Sequence, residues 1–302
     1  MNRGRRGVAG SIYRRSGETI EMLKKYITGM YLKKAFSLIC YSLAATMVPA
    51  GDGQIAEPPE HAQQHQHYSH HMNVPMGEEK CEVKFAYDDG PLGPSHWPGV
   101  CNTGIMQAPI DIAQAEKLPI NNLHFLYKPV DLDVINDCNR YRILVKFPDN
   151  DWLTVGKKPY FLSELHFRAP GENAVDGKRP RMSVQLVHLS AESRFLIVEV
   201  PVVAGRENPA MKTLLEHVPA PGREIAAGGV KIDATDFLPA GRAFYRFPGS
   251  LTTPICNEDV MWYVMKNPIE LSEEQIVGYL KYYHDTARTL QPLHSRPVAV
   301  SE

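Results

Sequence analysis

Glu164, His166 and Arg168 alternate along the stretch Phe161–Ala169 (FLSELHFRA), and Gln185 sits inside a second stretch, Met182–Ser190 (MSVQLVHLS). An imidazole offers a lone pair to a metal or carries a proton. A guanidinium has no lone pair to give, stays charged and suits an anion, and an amide offers a neutral oxygen. Both stretches have the period-2 pattern of strands, in which residues i and i+2 project to one side and can grip one ion. That period puts Leu162, Glu164, His166 and Arg168 on one face, and Phe161, Ser163, Leu165 and Phe167 on the other. In the second stretch Ser183, Gln185, Val187 and Leu189 share a face, with Val184, Leu186 and His188 opposite. A polar turn region containing Gly and Pro joins the two. As neighbours they place Glu164, His166, Arg168 and Gln185 at the bottom of one cleft, which is the candidate site.

The elements around this pair are mostly strands. Short apolar or alternating runs at Leu132–Ile135, Arg142–Phe147, Phe195–Val203 and Val260–Lys266 are separated by Gly, Pro and Asn-Asp signals. Helical patterns cover Ala210–His217 and Ser272–Tyr283, the latter opening with Ser272 as N-cap and Glu273 and Glu274 in its first turn. The fold class expected is mainly β (α+β). No Gly-rich phosphate loop, nucleophile elbow or basic stripe is present. Residues 1–50 carry nine Lys/Arg against two Asp/Glu, so the overall charge of −1 leaves −8 on the remainder, which argues against a nucleic-acid partner.

The same residues carry a resemblance. The 161–190 stretch resembles the zinc-site core of the α-carbonic anhydrases, where a His-x-His strand and a Glu-x-His-x-x-His strand supply three imidazoles to one Zn²⁺. The likeness extends through Tyr87, Gly93, Pro94, Trp97, Cys101, Gly104, Gln107, Pro109 and Ile110 near the start. It continues through Asp176, Gly177 and the Leu186-Val187-His188 triplet to Gly249–Pro254 (GSLTTP), Cys256, Glu258, Val260 and Trp262. Gln291, Pro292, Leu293 and Arg296 close it. It implies a central, mostly antiparallel twisted sheet with short helices on its surface and a cleft opening onto the middle of the sheet.

Carried over position by position, the resemblance puts the first zinc imidazole at His166, but the second ligand position holds Arg168 and the third Gln185. His188 matches a family histidine that is not a ligand, and its parity turns it away from the cleft. The residues that orient the first and third imidazoles are replaced by Glu164 and Ser183. Thr252 and Glu172 match the pair that orients the attacking hydroxide, with Thr253 beside them. Val187, Ile197, Leu251 and Trp262 match the apolar CO₂ pocket, and Asn139 stands at the proton-shuttle position, where an amide relays no proton. The function this implies is an exported family member without zinc in the cleft and without CO₂ hydratase activity, binding a small anion or an unknown protein partner. In the anion version Arg168, flanked by Gln185 and Thr252, holds bicarbonate; in the simpler one Arg168 pairs with Glu164 or Glu172 and plugs the hole. Two alternatives are an active carbonic anhydrase with a non-standard zinc site and an adhesion or envelope module, for which Lys178, Arg179 and Arg181 are the candidate basic patch.

Residues 1–29 read as a basic extension or a mis-assigned start. Residues 30–50 read as a secretory signal with Lys33 and Lys34 before an apolar run too short to span a bilayer, so no membrane segment remains after cleavage. Residues 51–80 read as a disordered linker in which His61, His65, His67, His70 and His71 could bind metal loosely. Residues 81–302 are what the resemblance implies to be the α-carbonic-anhydrase-like domain. The resemblance pairs Cys101 with Cys256, and such a bridge points to the periplasm or outside of a cell. Cys81 and Cys138 could pair by count, but the reading preferred for Cys138 is a free or incidental thiol.

Overall fold

Residues 81–148 and 150–301 are described by the computed structural model of this chain. The segments read above as extension, signal and His-rich linker, residues 1–80, lie outside them.

Burial alternates along an outer strand and is nearly continuous along the central ones. In β1 (Val130–Asp137) Leu132 and Val134 are fully buried between more exposed neighbours. The other long strands are β2 (Arg142–Lys146), β3 (Lys158–Arg168), β4 (Met182–Leu189), β5 (Phe195–Ala204), β6 (Glu224–Ile232), β7 (Phe244–Ser250) and β8 (Glu258–Met265). They lie in the order β6-β1-β2-β3-β4-β5-β8-β7 within a 13-stranded sheet of the described residues. Neighbours are antiparallel except β5 and β8, which run parallel from Phe195↔Val260 to Glu199↔Val264. This is the mainly β, mostly antiparallel architecture expected.

One face of the middle strands (Leu165, Phe167, Val184, Leu186, Val198, Val200) is buried in the main core under two helices, α1 (Pro209–Glu216) and α2 (Glu273–Leu280). Each such side chain, fully withdrawn from water, contributes about 1.5–3 kcal/mol. Both helices start where the sequence caps them. Asn208 Oδ1 accepts from Met211 N (3.0 Å), and Ser272 and Gln275 form a reciprocal capping box (3.2 and 3.0 Å). α2 ends at Leu280, short of the expected Tyr283.

Three expectations need correction. A bulge between Leu162 and Glu164 resets the alternation, so Leu162 joins Leu165 and Phe167 in the core instead of sharing the face of Glu164. The connection after β3 is not a plain polar turn, because Gly171–Ala174 is buried and Ala174–Val175 pairs with Asp111–Ile112. Cys138 is not a free thiol: it is bonded to Cys81 with Cα atoms 5.7 Å apart, inside the span a disulfide bridges. Cys101 is bonded to Cys256, Cα–Cα 4.9 Å. Among the described residues no helix is long and apolar enough to cross a membrane.

Candidate functional site

β3 and β4 pair with His166 opposite Gln185 and Arg168 opposite Ser183. The polar face of this pair is therefore continuous, and it lies deep: His166 is 3% exposed, Arg168 1% and Gln185 2%.

A neutral imidazole explains the contacts of His166. Its Nδ1 lies 3.2 Å from Arg142 Nη1, which can only donate, and its Nε2 lies 3.0 Å from Gln185 Oε1, which can only accept. The Nε2–H tautomer satisfies both. Arg142 Nη1 also donates to Glu164 Oε1 (2.6 Å), bridging that carboxylate to the ring. Burial, reinforced by the Arg142 charge, lowers the His166 pKa to about 4. For Glu164 burial alone would raise the value, but the Arg142 guanidinium outweighs it and holds the carboxyl well below the usual range.

The depressed His166 value fixes a pH dependence. The folded protein keeps this ring neutral while the unfolded chain protonates near the ordinary 6.5, so its contribution to stability is present above pH 6.5 and is lost as pH falls through about 4. In ¹H–¹⁵N NMR the His166 ring should report one neutral tautomer from pH 8 to pH 5. A midpoint near 6.5 would contradict the buried contact with Arg142.

Arg168 is held from several sides. Its Nε lies 3.4 Å from Glu172 Oε1, its Nη1 donates to Arg140 O (3.4 Å), and the Tyr87 ring covers the guanidinium at 5.6 Å. Of the two carboxylates considered from the sequence, Glu172 is the partner, and Glu164 belongs to Arg142. Glu172 is fully buried. It accepts from Thr252 Oγ1 (2.7 Å) and from the backbone of Arg288 (3.2 Å). Burial raises its pKa to about 7 against the opposing charge of Arg168. Below it Glu199, 1% exposed, accepts from the backbone of Glu172 and from Asn173 Nδ2 (2.9 and 2.5 Å).

The remaining candidates divide. Val187, Ile197 and Trp262 gather in one apolar cluster, against which Leu251 packs; Thr253 lies beside Thr252 and accepts from Cys256 N (2.9 Å). Ser183 is buried, with its side chain beside the Glu199 carboxyl. Asn139 is exposed in the turn Cys138–Arg140. His188 points into the opposite face, where Tyr127 OH lies 2.6 Å from its Nε2 and burial lowers its pKa to about 3. The basic patch is partly engaged, since Arg179 donates to Arg288 O (2.5 Å) and Arg181 pairs with Glu273 (2.6 Å). His61, His65, His67, His70 and His71 lie outside the described residues.

Arg142, Tyr87, Glu199 and Asn173 were not singled out from the sequence as site residues. Arg142 could have been: it opens an alternating run whose Leu144 lies opposite His166, which extends the polar face by one strand. Among the described residues no group of three or more His, Cys, Asp or Glu side chains is gathered as a metal site needs. Around His166 the donor chemistry itself is unsuited to zinc, with one imidazole, one permanent cation and one amide.

With the fold and site in view, comparison places the chain among known proteins. The family described as eukaryotic-type carbonic anhydrase matches residues 92–302. The chain is 33% identical over 219 residues to a carbonic anhydrase of Klebsiella pneumoniae, covering 70% of this chain and 88% of that protein. Its structure is similar to the α-carbonic anhydrase of Photobacterium profundum, with a TM-score of 0.67 and 33% identity over 71% of this chain and 99% of that one. It is also similar to a crystal structure of dioscorin complexed with ascorbate, with a TM-score of 0.65 and 29% identity over 72% and 98% of the two chains.

Proposed function

That this chain belongs to the α-carbonic anhydrase family is the premise from which we propose that it is a member that binds a ligand or partner and does not hydrate CO₂. The observation supporting this reading is Arg168, a buried guanidinium at the position the resemblance gives to the second zinc ligand, ion-paired with Glu172. In the family zinc lowers the pKa of its bound water from about 15.7 to about 7. A permanent cation repels a dication, and the His166 Nε2 that would face the metal is spent on Gln185. What supports a retained binding role is the intact surround, the Glu172–Thr252 hydrogen bond and the apolar wall of Val187, Ile197, Leu251 and Trp262. The two disulfides favour an oxidising compartment, the periplasm or the outside of a cell.

A second reading, an active carbonic anhydrase holding zinc in another way, is favoured by the relatives that bear that name. Elemental analysis and stopped-flow CO₂ hydration separate the two. They are done on the full chain with His61, His65, His67, His70 and His71 replaced by Ala, so that the tract contributes no metal. After zinc addition and desalting we expect far less than one zinc per chain and a rate no greater than buffer. Stoichiometric zinc with hydration inhibited by a sulfonamide would make the second reading correct.

A further inference from the structure

The Arg168 centre holds more donors than its partners satisfy. Arg168 and Arg288 are each 1% exposed and charged at any working pH. One carboxylate, Glu172, lies against both: Arg168 Nε approaches Oε1 at 3.4 Å without hydrogen-bond geometry, and Arg288 reaches Oε2 through its backbone N–H. The guanidinium of Arg288 is turned to neutral acceptors, Gln107 Oε1, Ala108 O and Cys101 O. Arg168 Nε, Arg288 Nε and Gln185 Nε2 are buried with no acceptor. Orphan donors in a buried centre are unfavourable, and a carboxylate-like group, flat and twice able to accept, is the chemistry that meets them.

The centre is also covered. Residues 81–87 belong to no strand, and their Tyr87 ring lies on Arg168 while Phe85 and Tyr87 pack edge-on against Tyr141 at 5.9 Å. Cys81, at the start of this segment, is bonded to Cys138, the first residue of the turn whose Arg140 carbonyl accepts from Arg168. The two disulfides differ in access. Cys81 is exposed, whereas Cys101 and Cys256 are 1% and 0% exposed. Thiol exchange requires a thiolate to reach a sulfur, so a reductant meets the Cys81–Cys138 bond first.

We propose that residues 81–87 are a thiol-released cover over a site for a small flat oxyanion at Arg168 and Gln185, fastened by the Cys81–Cys138 bond. This rests on the reading of the chain as a ligand-binding member. Release is a two-electron reduction by a dithiol: one thiolate attacks Cys81 Sγ, the S–S bond breaks, and Cys138 leaves as a thiolate that takes a proton. The second thiol then displaces Cys81 from the mixed disulfide, giving two protein thiols and the oxidised dithiol.

The test is calorimetric titration of the full chain with bicarbonate, formate and acetate, and with chloride as the control without a carboxylate. It is run on oxidised protein and on protein reduced at low dithiothreitol until two thiols per chain beyond that of Cys40 are counted. Peptide mapping checks that they are Cys81 and Cys138. Reduced protein should bind one oxyanion at least 10-fold more tightly than oxidised protein. Arg168→Gln or Gln185→Leu, either one folded by near-ultraviolet circular dichroism, should weaken binding at least 10-fold and 3-fold respectively. The proposal is overturned by equal affinity in both redox states, by no binding in either, by chloride matching the carboxylates, or by indifference to both substitutions. None of these results requires zinc or hydration, so this proposal can fail while the broader reading stands.

Discussion

Replacing Arg168 and Gln185 together by histidine (Arg168→His, Gln185→His) should give a chain that binds one zinc per molecule in the cleft and hydrates CO₂ above the buffer rate. The two substitutions act together for physical reasons. Arg168→His removes the cation and adds a donor on the strand face that already carries His166. Gln185→His replaces an amide oxygen and releases His166 Nε2 from its present hydrogen bond. Three imidazoles are a donor set that zinc accepts with a fourth position left for water. Thr252 Oγ1 already donates to Glu172 Oε1. Arg168→His alone leaves an amide in the third place and should bind zinc more weakly. Ser183 in place of an orienting carboxylate should cost the double variant about 10–100-fold in metal affinity relative to a family site. Exposed Asn139 relays no proton, so turnover should rise when an imidazole buffer is added. A folded double variant that takes up no zinc under excess metal would show that the surround has lost the shape the resemblance assigns to it.

The second large effect concerns the buried bridge. Cys101–Cys256 closes a separation of 155 residues, which the chain-entropy relation values at roughly 5 kcal/mol; Cys81–Cys138 spans 57 and is valued at roughly 4 kcal/mol. Those are upper figures, because residual structure in the unfolded chain subtracts from them. Against a typical stability of about 5–15 kcal/mol, Cys101→Ser with Cys256→Ser should bring the chain to the edge of unfolding at 37 °C. The effect should reach the cleft as well, since Cys256 N donates to Thr253 O beside Thr252. Urea denaturation should show a loss of several kcal/mol for this pair. A loss below about 1 kcal/mol would mean the loop is held without its bridge.

Period-2 alternation reads correctly where a strand is regular. Glu164, His166 and Arg168 share a face, and Gln185 and Ser183 lie opposite His166 and Arg168. It fails at Leu162, because a bulge adds one residue and sequence alternation carries no mark of it. Arg168 faced a choice between two carboxylates in the sequence. The structure gives it Glu172 because Arg142, one strand away, takes Glu164, and that competition depends on a nonlocal register. The pairing of Cys81 with Cys138 is of the same kind, since a separation of 57 residues says nothing about how far apart two Cα atoms lie. Glu199 and Asn173 were hidden because their partners come from different parts of the chain: the backbone of the buried segment after β3 meets a side chain of β5. Helix α2, by contrast, was marked locally by its capping box, and only its C-terminal end was misplaced.

The most direct measurement is anomalous diffraction at the zinc edge from crystals grown with excess zinc. The account predicts no peak beside His166 and guanidinium density from Arg168 against Glu172. A peak about 2 Å from His166 Nε2, with Arg168 turned away from Glu172, would contradict it.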